Sequence, residues 1–153
     1  SVHGEFTLYA YTDRTSNEVH LALTKGEICA EKETLVRVHE PLSVLDFLDP
    51  SVGRHTFSLE QAQDALAKAE SGVIVLLRRP ETCHDILAAL SEQTQSQLPA
   101  AKWDPRIYGI GAQILRDLGV RKMKWMASPR RMPSMTGFDL EVTGYIASPA
   151  ELD

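Results

Sequence analysis

The residues best placed to do chemistry are Asp104 and Arg106. They stand two apart, directly ahead of an apolar stripe of Ile107, Ile110, Ile114 and Leu118, with Gly119 behind it. That spacing predicts a helix over 106–118, closed by the glycine. A carboxylate and a guanidinium are thus held together at a helix N-terminus, where unpaired N–H groups and the macrodipole favour an anion. Read from residue types alone, the same two side chains also make a plain ion pair at the helix entry. Arg79 and Glu81 follow an apolar run over 73–77, and Arg130 and Arg131 lie in a Pro-containing loop. Those two loop arginines suit either a phosphate or solvent.

Several other residues invite a chemical reading that their spacing does not support. Cys83 and His84 are adjacent, which is not a usual metal-pair spacing; a buried thiol beside a solvated imidazole is expected. His39 ends a predicted strand and is read as structural, and His55 is expected in an exposed loop, away from any metal. Gly109 and Gly111 have Ile114 where a dinucleotide fingerprint needs its third glycine, so they are read as allowing close helix packing.

The elements that must position these residues follow from periodicity. Gly4 to Tyr11 alternates, with Phe6, Leu8 and Ala10 on one face, and Val19 to Thr24 and Leu35 to His39 read the same way. Residues 40–57 are an irregular loop. Ser58-Leu-Glu-Gln61 is a capping-box pattern opening a helix whose buried face carries Leu59, Ala62, Ala65, Leu66 and Ala69. The run Val73-Ile-Val-Leu-Leu77 predicts a strand covered on both faces. Asp85 to Leu90 predicts a short helix, Ser96 to Pro105 a loop, Met123 to Ala127 a strand and Phe138 to Ile146 a last strand. Early strands followed by strand–helix alternation predict an α/β domain, a mixed sheet flanked by helices.

Composition narrows the function classes. The 153 residues are 43% hydrophobic and 24% charged, enough for one domain with a real core. The net charge of -5 argues against a nucleic-acid binder. No apolar run approaches the roughly 20 residues that span a bilayer. Two widely spaced cysteines, Cys29 and Cys83, fit a reducing cytoplasm.

The 104–120 segment, Asp-Pro-Arg-Ile-Tyr-Gly-Ile-Gly-Ala-Gln-Ile-Leu-Arg-Asp-Leu-Gly-Val, closely resembles the D-x-R-x-Y-G-I-G-A-Q-I-L-x-D-L-G-V segment of GTP cyclohydrolase II. Gly4-Glu-Phe, His20-Leu-Ala-Leu and Val36-Arg-Val-His39 resemble that family's G-x-F, H-x-A-L and x-R-V-H strands in order. Residues 59–72 lie where the family has its Q-L-x-x-A-L helix and the glycine after it. The resemblance implies that Asp104 and Arg106 match the family's proton-transfer aspartate and nucleophilic arginine.

The departures bear on function. The family holds its zinc with three cysteines, C-x10-C-x-C, directly after R-V-H. The aligned positions here are Leu42, Gly53 and His55. A catalytic zinc needs three protein ligands and an open position, so the resemblance implies a domain without the metal. The family's R-Q-E-G-R-G-I-G-L phosphate motif is Arg79-Pro-Glu-Thr-Cys-His-Asp-Ile-Leu87 here, keeping Arg79 and Glu81 but none of the motif glycines. Its catalytic tyrosine position is Thr94, and its T-N-N-P-x-K loop is Ala127 to Arg131.

The expectation is therefore a single domain over 1–153, excised from a longer chain, that no longer works as a cyclohydrolase. Asp104 and Arg106 are vestigial catalytic residues, with Arg79, Glu81 and Arg130 as remnant ligand contacts, and neither zinc nor another cofactor is expected. The resemblance implies a homodimer, in a chain whose N-terminal half is a 3,4-dihydroxy-2-butanone 4-phosphate synthase that the domain scaffolds or regulates. A weak nucleotide or pyrophosphate ligand is compatible with the pattern; nucleic acid and membrane are not. Two rivals stand beside it: a nucleotide hydrolase that lost zinc but kept Asp104 and Arg106, and a small-ligand sensor.

Overall fold

The computed structural model describes residues 1–40, 44, 48, 55–78, 80–91, 105–129 and 135–152. Its centre is one six-stranded sheet in the order β1-β2-β4-β3-β5-β6. The strands are β1 (Thr7–Thr12), β2 (Val19–Lys25), β3 (Glu33–His39), β4 (Gly72–Leu76), β5 (Lys122–Met126) and β6 (Glu141–Ile146). β2 is antiparallel to both β1 and β4. β4, β3, β5 and β6 pair in parallel. The sheet is mixed, as the early hairpin followed by strand–helix alternation implies.

Helices cover both faces. α1 (Leu59–Lys68) packs Ala62, Ala65 and Leu66 with Phe57, Ile74, Met126 and Ile146 on one face. Its capping box forms as read: Gln61 N donates to Ser58 Oγ at 3.1 Å, and Ser58 N donates to Gln61 Oε1 at 2.9 Å. α3 (Pro105–Asp117) covers the other face, where Ala112, Ile114 and Leu115 meet Val36, Val75, Leu77 and Trp125. Gly119 ends α3 at φ +94, in the left-handed region that favours glycine. β4 lies between the two layers, and Val73, Ile74 and Val75 are buried, which explains its unbroken apolar run.

Element boundaries and the role of two glycines differ from the sequence reading. α2 (Cys83–Leu90) starts two residues before Asp85, because Thr82 is its N-cap. Asp85 N donates to Thr82 Oγ1 at 3.2 Å, and Thr82 N donates to Asp85 Oδ2 at 2.8 Å. β6 starts at Glu141, not Phe138: Thr136–Phe138 is a 3-10 turn, and Asp139 takes φ 61 before the strand begins. Gly109 and Gly111 are not required by packing among the described residues. A Cβ on Gly111 would lie 3.5 Å from Leu77 Cδ1, and one on Gly109 3.7 Å from Phe138 Cζ, both ordinary contacts. Among the described residues, no helix is long and apolar enough to cross a membrane.

Candidate functional site

In a sheet of this kind, ligands collect beyond the carboxyl ends of the parallel strands. Here that end is formed by His39 at the close of β3, Leu77 and Arg78 after β4, and Ala127 after β5. β1 runs the same way, so Asp13 reaches the same end. The α3 face and the α1 face each contribute one corner.

On the α3 side, an Arg106 guanidinium nitrogen lies 3.7 Å from Asp13 Oδ2. Asp13 is fixed by its own turn. Thr15 N donates to Asp13 Oδ1 at 2.8 Å, and Ser16 Oγ donates to Oδ2 at 3.1 Å. The Thr15 hydrogen bond above all, with the Ser16 bond and the Arg106 charge, holds the Asp13 carboxyl below its ordinary value. The Arg106 side chain remains 62% exposed. Asp104 lies outside the described residues, so the ion pair seen is Arg106 with Asp13.

His20, at the start of β2, is 1% exposed. Its Nδ1 accepts from Arg78 N at 3.0 Å, which leaves the ring proton on Nε2 in the neutral form. Nε2 is buried with no hydrogen-bond partner. Burial first, and then Arg78, push its pKa below the ordinary 6.5, against the opposing charges of Glu18 and Asp13.

On the α1 side, Arg37 is 5% exposed, and among the described residues no carboxylate pairs with it. Its guanidinium donates to Met126 O at 2.8 Å and Phe57 O at 3.2 Å, tying β3 to the end of β5 and to the segment before α1. It lies 5.8 Å from the Phe57 ring centroid. Burial lowers its pKa to about 10. His39 is buried, and its ring centroid is 4.5 Å from that of His55. His55 is therefore half-buried against a second imidazole and not in an exposed loop. Tyr108 joins the corners: burial, then the Glu40 charge, push its hydroxyl up, and Arg37 opposes them.

The remaining candidates scatter. Glu81 accepts from Val44 N at 2.8 Å. Arg79, Arg130, Leu42, Gly53 and Thr94 lie outside the described residues. Cys83 is exposed at the first turn of α2, not buried as expected, and His84 beside it is exposed too. Among the described residues, no three His, Cys, Asp or Glu side chains are grouped to hold a metal ion. A groove of about 510 Å³ runs along β6 and the start of β5, lined by Arg121, Asp139, Glu141 and Tyr145 among others. It holds none of the residues singled out above.

Sequence reasoning missed Asp13, His20, Arg37 and Tyr108 as site residues. Asp13 carried one readable signal, the Asp-Arg-Thr-Ser-Asn turn composition, which marks a fixed carboxylate but not its partner.

Comparison with known proteins gives one consistent result. The sequence model of the GTP cyclohydrolase II family matches residues 1–147. The 3,4-dihydroxy-2-butanone 4-phosphate synthase of Neisseria meningitidis serogroup B is 46% identical over 142 residues, covering 93% of this chain and 38% of that protein. The protein of the same name from Pseudomonas aeruginosa is 44% identical over 151 residues, covering 97% and 40%. The riboflavin biosynthesis protein RibBA of Aquifex aeolicus is 38% identical over 151 residues, covering 91% and 37%. The chain thus spans about two-fifths of the length of these curated relatives.

Proposed function

Because this chain belongs to the GTP cyclohydrolase II family of riboflavin biosynthesis, we propose that it is a zinc-free, catalytically silent member serving a 3,4-dihydroxy-2-butanone 4-phosphate synthase as a dimerisation or regulatory module. The observation that carries this reading is the ligand set after Arg37-Val38-His39. Of the aligned positions Leu42, Gly53 and His55, only the histidine can ligate through its side chain. That histidine packs against His39, its ring tilted 37° with 4.5 Å between ring centroids. The residues present do not fit the metal, so no ring-opening step is derived through it.

The relatives' names support the same reading. The Neisseria and Pseudomonas proteins, which this chain matches over 38% and 40% of their length, are named for the synthase alone. The remaining chemistry on the α3 side, Arg106 with Asp13, suits a weakly held nucleotide or pyrophosphate and not turnover. In the proposed assembly, the domain is a cytoplasmic homodimer attached to its synthase.

Elemental analysis and a formate assay test this directly. The purified domain is expected to carry no stoichiometric zinc and to release no formate from GTP. Restoring a cysteine at position 55 alone should not change that, since the phosphate-motif glycines and the tyrosine are also replaced. One zinc per chain, with chelator-sensitive formate release, would return this chain to the active enzymes.

A further inference from the structure

We infer that β1 is the dimerisation strand: its free edge pairs antiparallel with β1 of a second copy, across a two-fold axis at Tyr9, and joins two sheets into one. The inference rests on the reading of the domain as a dimer and adds the surface. Among the described residues, the strand order leaves two edges, β1 and β6. Exposed edges invite foreign strands, and chains that must not pair guard them with charge, proline or bulges. β6 is guarded. It opens on Glu141, its register with β5 shifts between Met123 and Lys124, and Gly144 interrupts it.

β1 has no such guard. Thr7-Leu-Tyr-Ala-Tyr-Thr12 contains no acidic or basic residue and no proline, and it pairs with β2 through an unbroken register. Leu8 is 61% and Tyr9 42% exposed, on opposite faces of the sheet. Asp13 N donates to Glu18 O at 2.8 Å, which sets the phase of the ladder. Hydrogen-bonded pairs alternate, so Tyr11, Tyr9 and Thr7 turn their N–H and C=O toward β2. Leu8, Ala10 and Thr12 turn theirs outward.

The partner follows from that pattern. A two-fold axis perpendicular to the sheet preserves its faces, so outward residues must meet outward residues. Placing Leu8 opposite Ala10 does this twice, setting a large side chain over a small one on the α1 face. It also brings Tyr9 against its own copy on the α3 face, in the close, non-hydrogen-bonded site where aromatic pairs interact well. The chain carries a net charge of -5, so like surfaces repel in general. Over Thr7–Thr12, β1 offers an uncharged strip on which two copies meet, and the like-charged Glu5 and Asp13 face each other only beyond its two ends.

The test uses a background with Cys29→Ser and Cys83→Ser. In a non-hydrogen-bonded pair the Cα atoms are about 4.5 Å apart, within disulfide range. Tyr9→Cys should therefore give a disulfide-linked dimer on mild oxidation, while Thr143→Cys on β6 should not. Leu8→Lys, at an exposed position that leaves the fold intact by circular dichroism, should raise the dimer dissociation constant at least about tenfold by light scattering. A wild-type dimer that neither cross-links at position 9 nor weakens with Leu8→Lys would overturn the inference and leave the dimer reading standing. A wild-type monomer at micromolar concentration would overturn both. Cross-linking at position 143 instead would move the interface to β6.

Discussion

The α1 corner and the α3 corner close the same end of one sheet, yet they are built in opposite ways. On the α1 side, Arg37 is 5% exposed and its hydrogen bonds end on backbone carbonyls. On the α3 side, Arg106 is 62% exposed and reaches a carboxylate that its own turn has already fixed. One arginine is a buried strut and the other is largely exposed to solvent. Both stand in segments that resemble the family's motifs, so a motif match alone does not say which job a residue does. Burial and partner type do.

The largest effect that tests this contrast is Arg37→Lys. The substitution keeps a buried cation, so the desolvation cost stays. It loses the planar fork that spans Met126 O and Phe57 O, and one ammonium cannot serve carbonyls on two elements as well. A carbonyl left without its charged donor costs about 1–3 kcal/mol, so unfolding in urea should show a loss of about 2 kcal/mol. A change under about 0.5 kcal/mol would mean Arg37 is no strut and would erase the distinction between the corners.

His20 lies on the α3 side but behaves like the buried corner, and acid should expose that. Its folded pKa lies below the ordinary 6.5, with burial the leading cause. The unfolded chain therefore takes up a proton that the folded chain resists. Stability from this group is complete above about 6.5, falls as the pH drops below it, and stops falling once the folded group is itself protonated. His20→Asn retains an acceptor for Arg78 N and removes the titration. Melting temperatures measured between pH 7.5 and 5 should converge for the two proteins as the pH falls. Parallel curves would show that His20 does not feel its burial.

How much of this was legible depended on the range of the interaction. Ser58 and Gln61 form a local capping pattern, and the helix began where it said. Val73 to Leu77 read as doubly covered because an unbroken apolar run has few other uses. Thr82-Cys-His-Asp85 was an equally local signal, overlooked because Asp replaces the usual Glu or Gln at its third helical position. The Asp13–Arg106 pair was not legible. It joins the end of β1 to the start of α3, and only the strand order, with β1 outside β2, brings them together. Arg37 was visible as a letter in a motif, but its carbonyl partners come from β5 and from the segment before α1. Gly109 and Gly111 show the opposite error: a packing role was assigned to residues that packing does not require.

Arg106→Ala is the smallest expected effect on the fold and the sharpest on the comparison. An exposed ion pair contributes about 0–1 kcal/mol. The 3.7 Å separation from Asp13 is at the long end of such contacts, and the Asp13 carboxylate keeps its Thr15 and Ser16 hydrogen bonds when the arginine is gone. Stability should therefore change by less than about 0.5 kcal/mol. If the corner still holds an anion, the same variant loses weak pyrophosphate binding, measured by calorimetry, because the bidentate donor at the start of α3 is removed. A stable variant with unchanged binding would strip the α3 corner of its ligand role. A variant that unfolds as readily as Arg37→Lys would make both arginines struts, and the two corners would differ in exposure alone.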